Sequence, residues 1–317
     1  MKGGLSREGP PFSWASRRCT LHPRSHIPQS DRPLVSQPND LIALPVAEVT
    51  AARAAAAMEH CFQGYIVPVR TTAESWERRF RSEHLDPFAS RIYQRDETDV
   101  AVLFMCRRGW TSRVGGMAVA PDARGGGLGR RVMRDAIDEA RARGDRALLL
   151  EVIEQNTPAV KLYESLGFQR TRRLVGYRAA PGEGEDPADA LREVDPLELA
   201  RVAHVEGEPE LPWQLAAETL SAATAPARAF ALRDHAYAMV ANPQAETLTL
   251  SALVVPRAHR HQGWGTRMLR ALAAAFPGKP WQAVAIVPEA LAPGFFARAG
   301  WTRQEISQFE MRLELGG

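Results

Sequence analysis

The sequence of 317 residues lacks the features that mark several classes of protein. It has only three cysteines, Cys19, Cys61 and Cys106, and their spacing fits neither a metal site nor a disulfide framework. Few and scattered cysteines favour a reducing compartment, so we expect a cytoplasmic protein. No apolar run approaches the ~18 residues of a membrane helix, and the N-terminus lacks the apolar segment of a signal peptide.

The sequence also lacks a strong excess of charge of either sign. Lysine and arginine number 40 and aspartate and glutamate 37, which gives a net charge of +3. Because the two signs nearly cancel, the composition does not indicate nucleic-acid binding. We therefore expect no nucleic-acid partner, no membrane partner and no bound metal.

Composition divides the chain into four stretches. Residues 1–40 are rich in Pro, Ser and Arg without an apolar period, which predicts a disordered extension. Strand-like and helix-like segments follow over residues 41–178, and a linker rich in Gly, Pro and acidic residues covers residues 179–189. The same order of segments returns over residues 190–317. This internal repeat predicts two tandem domains of one mixed α/β fold.

A glycine-rich stretch, "ARGGGLGRR" from residue 123, directly precedes a predicted helix. Amides at a helix start lack helical partners and attract anions, and glycine lets an anion approach the backbone. The spacing excludes a Walker A loop, and a Rossmann loop would need glycine where Arg130 stands. The stretch therefore predicts an anion-binding turn of another kind. The helix would pack on the sheet through an apolar stripe of Leu128, Val132, Ala136, Ile137 and Ala140.

Two motifs carry a family resemblance. The loop fits Arg-x-x-Gly-x-Gly, and residues 156–168 fit Asn followed by Ala-x-x-Leu-Tyr-x-x-x-Gly-Phe. With these motifs the sequence resembles the GNAT superfamily of acyl-CoA-dependent N-acetyltransferases. The resemblance implies, for each domain, a mixed, mostly antiparallel sheet flanked by helices, and acetyl-CoA as co-substrate with its pyrophosphate on amides 125–130. The cofactor-binding residues that it implies are Met117, Val119, Arg124, Gly125, Gly126, Gly127, Leu128, Gly129, Arg130 and Asn156.

The same resemblance implies two catalytic residues. Tyr163 would protonate the leaving thiolate of coenzyme A or hold the thiol, and Asn156 would steady the pantetheine arm. The local sequence is similar to the ribosomal-protein alanine N-acetyltransferases, where the glutamate matching Glu151 takes the proton of the attacking amine. Without the resemblance, Tyr163 is a half-buried core aromatic and Glu151 a solvated carboxylate at a strand end. The residue types alone predict Thr157 as the N-cap of the helix that carries Tyr163.

The second domain keeps the loop but not the catalytic residues. Phe296 stands where the first domain has Tyr163, and a phenylalanine has no proton to give. We therefore expect a degenerate copy that either binds cofactor or serves only as structure. Its possible second cofactor site consists of Val255, Arg260, Gly263 and Gly265. The two-domain length resembles mycothiol synthase in architecture, and in some tandem enzymes the C-terminal half is the active one.

The sequence therefore predicts an N-acetyltransferase acting by direct attack in a ternary complex. The acceptor would be a primary amine of a small molecule or of a protein N-terminus, and the enzyme a monomer or a homodimer. The alternative is a non-catalytic acyl-CoA-binding sensor or scaffold. The resemblance implies that two loops contact the acceptor: "CFQGYIVPVRTTAESW" from residue 61, which is aromatic and mixed, and "QRTRRLVGYR" from residue 169, which is basic.

Overall fold

A computed structural model of the chain describes residues 41–182 and 191–316. The predicted extension of residues 1–40 and residues 183–189 of the predicted linker lie outside the described residues. We call residues 41–182 the first half and residues 191–316 the second half.

The described residues form twelve strands and eight α-helices. The strands are β1 Ile42–Pro45, β2 Arg91–Arg95, β3 Thr98–Arg108, β4 Thr111–Val119, β5 Ala147–Ile153, β6 Gln169–Ala179, β7 Leu191–Val194, β8 Arg228–Leu232, β9 Ala236–Val240, β10 Leu248–Val254, β11 Trp281–Pro288 and β12 Thr302–Glu314. The helices are α1 Ala51–Cys61, α2 Ala73–Ser82, α3 Leu128–Ala142, α4 Thr157–Ser165, α5 Pro196–Glu206, α6 Ala217–Ser221, α7 Trp264–Ala275 and α8 Phe295–Arg298.

All twelve strands belong to one sheet with the order β1-β2-β3-β4-β5-β12-β6-β11-β10-β9-β8-β7. Only two neighbouring pairs are parallel, β4 with β5 and β10 with β11, one in each half. The expected mixed, mostly antiparallel α/β architecture is confirmed. The two predicted sheets are, however, continuous with each other, and the segment from residue 169 is strand β6 and not a loop.

The two halves exchange their last strands. The final strand of the chain, β12, lies between β5 and β6 and pairs with β5 along the whole length of that strand. Strand β6 in turn pairs with β11 of the second half. Met311 and Leu313 of β12 are therefore buried in the core of the first half, while Tyr177 and Ala179 of β6 pack on the core of the second.

Helices cover both faces of each half. In the first half, α3 and α4 pack on one face and α1 and α2 on the other, with a separate apolar core on each side. In the second half, α7 and α8 lie on one face and α5 and α6 on the other. The predicted stripe on α3 is confirmed, with buried side chains at Leu128, Val132, Ala136, Ile137 and Ala140. Among the described residues, every helix is too short or too polar to cross a membrane.

Candidate active site

The glycine loop of the first half opens directly into α3. Gly125 and Gly127 have φ of 84° and 78°, a left-handed backbone that L side chains rarely adopt. Gly127 is the N-cap of α3. In the part of the chain that the structure describes, no backbone oxygen accepts from the amides of residues 125–130. Six consecutive donors at a helix N-terminus form a cradle for an anion.

Arg124 fixes this loop in place. Its Nε donates to the Val119 carbonyl at 2.9 Å, and its Nη2 donates to the carbonyls of Cys61 and Gln63 at 3.3 and 2.7 Å. Arg130 is likewise engaged, with its Nη2 2.8 Å from the Ser165 hydroxyl of α4. Both side chains therefore hold the loop against neighbouring elements. The glycines of the loop border open space, since a Cβ on Gly125, Gly126 or Gly127 would meet no atom within 4 Å.

Strands β4 and β5 are separated from each other at the end of β4 that leads into this loop. The two parallel strands pair only from Thr111 to Val114 of β4 and from Ala147 to Leu150 of β5. Within the described residues, the remainder of β4, which includes Met117 and Val119, pairs with β3 on its other side only. The edge of β4 that faces β5 therefore has unpaired backbone groups along the predicted cofactor path.

Tyr163 lies on α4 with only 7% of its surface exposed. Its ring packs edge-to-face on Phe168 at a centroid distance of 5.9 Å. Burial raises the pKa of the Tyr163 phenol well above its usual value, and the nearby Tyr65 raises it further. Tyr65 follows α1, and the sequence pointed to it only through the aromatic character of its segment.

Asn156 precedes α4 and contacts Tyr65. Its side chain accepts from the Ala159 amide at 3.4 Å, so Asn156 and not the predicted Thr157 is the N-cap of α4. Burial raises the pKa of the Tyr65 phenol, while a hydrogen bond with the Asn156 side chain lowers it. The structure thus brings together Tyr65, Asn156 and Tyr163.

Glu151 is part of a buried chain of charges. Both of its oxygens accept from Nε of Arg113, at 3.0 and 2.8 Å, and Nη2 of Arg113 lies 2.6 Å from Oε2. Nη1 of Arg113 donates to Glu83 at 2.6 Å, and Glu83 also accepts from Arg79 at 3.0 Å. The side chains of Arg113 and Glu151 are only 2% and 5% exposed. The strand-end carboxylate that the composition suggested is therefore buried and paired.

The second half adds a further carboxylate beside Glu151. Glu310 of β12 lies opposite Glu151 in the strand register, so both side chains are on the same face of the sheet. Arg172 of β6 donates to both oxygens of Glu310, at 2.6 and 3.1 Å. Glu151, Glu310 and Arg172 are opposite one another in the register. Arg113 is opposite Leu149 and reaches Glu151 with its long side chain. The sequence carried no signal for Glu310, because it reaches this position only through the exchange of strands.

Residues 58–168 of the first half match the model of one protein family. The family model described as "Acetyltransferase (GNAT) family" matches this range, which contains the loop, α3, β5 and α4. Residues 58–168 belong to the GNAT family.

Curated relatives of the GNAT domain match over short stretches. Mycothiol acetyltransferase of Streptosporangium roseum is 45% identical over 62 residues, which cover 20% of this chain and 18% of the relative. The [ribosomal protein bS18]-alanine N-acetyltransferase of Escherichia coli K12 is 50% identical over 70 residues, which cover 22% of this chain and 47% of the relative. The chain thus spans less than half the length of these relatives.

Solved structures match over most of the chain. A GCN5-related N-acetyltransferase from Sphaerobacter thermophilus has a TM-score of 0.65 at 16% identity and covers 89% of this chain and 97% of its own. A tandem GNAT protein from the clavulanic acid biosynthesis pathway has a TM-score of 0.60 at 16% identity, covering 88% of this chain and 99% of its own. The chain therefore has the fold of a tandem GNAT protein.

The second half repeats the loop of the GNAT domain with changes around it. Gly263 has φ of 84° and is the N-cap of α7, and Arg260 donates to the Val255 carbonyl at 3.0 Å and to the Glu206 carbonyl. A Cβ on Gly265 would lie 3.0 Å from the ring of Phe295.

The position of Tyr163 is filled differently in the second half. Phe296 stacks on Tyr177 of the exchanged strand β6 at a centroid distance of 4.3 Å, as part of the apolar core. The backbone turn is thus retained in the second half, whereas an aromatic cluster occupies the region of the catalytic phenol.

Proposed function

We propose that this chain is an N-acetyltransferase that moves an acetyl group from acetyl-CoA to a primary amine of a small molecule or of a protein N-terminus. The observation that carries the proposal is one arrangement. A glycine cradle of six free amides opens onto the gap between β4 and β5, and the Tyr163 phenol lies on the adjoining helix. The first half would carry the reaction, by direct attack of the amine in a ternary complex.

The residues present fit acetyl-CoA. A Cβ at Gly125, Gly126 or Gly127 would meet no atom within 4 Å, so space lies in front of the amides that would hold the pyrophosphate. The unpaired edge of β4, with Met117 and Val119, offers hydrogen bonds to the amides of a pantetheine arm. The Asn156 amide has two N–H donors, so beside its contact with Tyr65 one of them remains for the pantetheine arm, and its oxygen caps the helix.

Acetyl-CoA, when bound, supplies a thioester as the acetyl donor. Tyr163 would give its phenolic proton to the sulfur as the carbon–sulfur bond breaks. Because burial raises the pKa of this phenol, it carries that proton throughout the neutral range. The phenol then has to regain a proton from solvent before the next turnover.

The amine nitrogen must lose a proton as it bonds to the carbonyl carbon, and we propose Glu151 as the acceptor of that proton. An ionised carboxylate offers about four acceptor positions, and the guanidinium of Arg113 makes three contacts to Glu151. One position is thus left for the amine or for a bridging water. An ordered water relayed by backbone carbonyls is the alternative proton path.

The proposal places the enzyme in the cytoplasm, which its cysteines favour. Cys61 and Cys106 are buried free thiols. Such thiols persist in a reducing compartment.

A coupled measurement of binding and turnover tests the proposal. Acetyl-CoA is mixed with a panel of amines, including peptides with free N-terminal residues, and thiol release is followed against a reaction without amine. Tyr163→Phe should lower kcat by about 10²-fold, as for a lost general acid. Tyr93→Phe is the matched control, because Tyr93 is a tyrosine of the same core with 4% exposure.

The outcomes distinguish the two functions that the sequence predicts, an N-acetyltransferase and a non-catalytic acyl-CoA-binding sensor. Amine-dependent thiol release that falls in Tyr163→Phe but not in Tyr93→Phe supports the enzyme. A rise in melting temperature with acetyl-CoA and no release with any amine would instead support the acyl-CoA-binding sensor. Release that persists in Tyr163→Phe and stops when the second loop is disrupted would move the active site to the second half.

A further inference from the structure

Trp213 belongs to the second half but is buried in the first. It lies between α5 and α6, is 6% exposed, and belongs to the apolar core formed with α1 and α2. Its neighbours in that core include Trp76, Phe80 and Phe104, whose rings pack on each other at 5.0 to 5.5 Å. The second half therefore contributes a large side chain to the face on which Glu151 lies.

The contacts of Trp213 are directed at the end of α2. Its indole Nε1 donates to the backbone carbonyl of Glu83 at 2.8 Å. Glu83 is the C-cap of α2, where carbonyls lack helical partners. Arg108 holds the indole from the other side, with its guanidinium 4.1 Å from the ring centroid and its Nη1 3.2 Å from the Trp213 carbonyl.

The residue that Trp213 holds is the first member of the buried chain of charges. The Glu83 carboxylate is 2.6 Å from Nη1 of Arg113, and Nε of the same guanidinium donates to both oxygens of Glu151. A guanidinium is a rigid planar fork, so its placement against Glu83 also determines how it presents its other edge. A shift at the end of α2 is therefore passed to the Glu151 carboxylate.

We infer that Trp213 is a positioning residue, through which the second half holds Glu151 in place at the active site of the first. The inference rests on the proposed function, because that proposal is what assigns Glu151 a part in the reaction. It gives the second half, whose Phe296 cannot act as an acid, a role in catalysis that requires neither a cofactor nor a second active site.

The experiment compares two tryptophans of one core. Trp213→Phe retains an aromatic ring but leaves the Glu83 carbonyl without its donor. Trp76→Phe is the matched control, because the Trp76 indole N–H is buried and has no partner among the described residues. Two properties are measured at a series of pH values: kcat with the best amine of the panel, and the ¹³C signal of the Glu151 carboxyl, assigned by its loss in Glu151→Gln.

We expect Trp213→Phe to lower kcat about tenfold, as for one buried polar group left without a partner. KM for acetyl-CoA should be unchanged, the pH–rate profile should change shape, and the Glu151 signal should move. Trp76→Phe should leave all of these as in the natural protein. A merely structural role would instead lower the melting temperature in both variants and leave the pH–rate profile unchanged.

The two readouts keep the inference separate from the proposed function. An unmoved Glu151 signal in Trp213→Phe overturns the inference, and so does an unchanged kcat. A moved signal in a protein without turnover on any amine would support the contact chain and refute the proposed function.

Discussion

Replacing Arg113 with methionine should destabilise the protein strongly and in a pH-dependent way. The guanidinium is 2% exposed and stands between Glu83 and Glu151, which are 7% and 5% exposed. Methionine fills a similar volume without charge, so the variant keeps packing but leaves two buried carboxylates short of their partner. Glu83 retains Arg79 at 3.0 Å, whereas Glu151 loses all three of its contacts with Arg113.

The expected loss at neutral pH is about 3–5 kcal/mol, as for a buried ion pair from which one partner is removed. That is a large part of the ~5–15 kcal/mol by which a domain is stable. The loss should shrink as the pH falls, because a buried carboxylate without a partner becomes protonated and then needs no counter-charge.

Glu83 shows that the natural protein is a constant reference over this range of pH. Desolvation acts to raise the pKa of Glu83, but Arg79 and Arg113 outweigh it, so the pKa is lowered in the folded protein. A lowered folded-state pKa stabilises the protein above the unfolded value of about 4.3 and ceases to do so as the pH falls through the folded value. The natural protein therefore keeps this contribution from pH 7.5 down to pH 5. The deficit of Arg113→Met shrinks over this range because the buried carboxylates that the variant leaves without a partner become protonated.

Urea unfolding at pH 7.5 and at pH 5 measures the effect. Arg228→Met is the control, because Arg228 and Glu193 form an ion pair whose side chains are 43% and 51% exposed. An exposed pair contributes at most about 1 kcal/mol, and its loss should not depend on pH in this range. A deficit below about 1 kcal/mol for Arg113→Met, or one equal at both pH values, would refute the stabilising role of the buried charges.

Three further changes test the site and the core. Changing Gly127 and Gly129 together to valine should abolish most of the rise in melting temperature that acetyl-CoA produces, because the loop can no longer adopt its backbone or admit the anion. Glu151→Gln should lower kcat and flatten the acidic limb of the pH–rate profile while acetyl-CoA still binds. Burial raises the pKa of the Cys61 and Cys106 thiols to about 12, so neither should react with a thiol reagent at pH 8 before unfolding, in a variant whose third cysteine is serine.

Each of these tests has an outcome that contradicts it. Gly109 also has positive φ and open space, so Gly109→Val is the control for strain without a ligand site. If the acetyl-CoA shift survives the double glycine change and disappears only when Gly263 is also replaced, the second loop holds the ligand. An unaltered pH–rate profile in Glu151→Gln would favour the water relay, and fast thiol labelling at pH 8 would show that the core opens readily.

Local patterns predicted the loop and its helix well. The apolar stripe of α3 and the glycines before it are consecutive in the chain, so periodicity and backbone preference suffice to place them. The cap of α4 was wrong by one residue, because Asn156 and Thr157 are both good N-caps and only the path of the chain decides between them.

Contacts between distant parts of the chain could not be predicted. Arg113 lies in a strand whose other residues are mostly small or apolar, and nothing nearby in the sequence indicates that its partners are Glu83 and Glu151, 30 and 38 positions away. Trp213 is 130 positions from the carbonyl that it contacts. The alternation of strand residues also gives no sign that β12 pairs with β5, since either half offers the same pattern of partners.

The exchange of strands determines the order in which this protein can fold during synthesis. Of the strands that the structure describes, β12 alone pairs with the outer edge of β5, and residues 302–314 that form it are made last. A nascent chain that has completed α4 therefore presents an open strand edge for the time needed to translate roughly half of the sequence, and such edges attract other chains. Two fragments divided between residues 182 and 191 would each lack a strand that the other holds. We expect them to be insoluble when expressed separately and to form a stable heterodimer when expressed together.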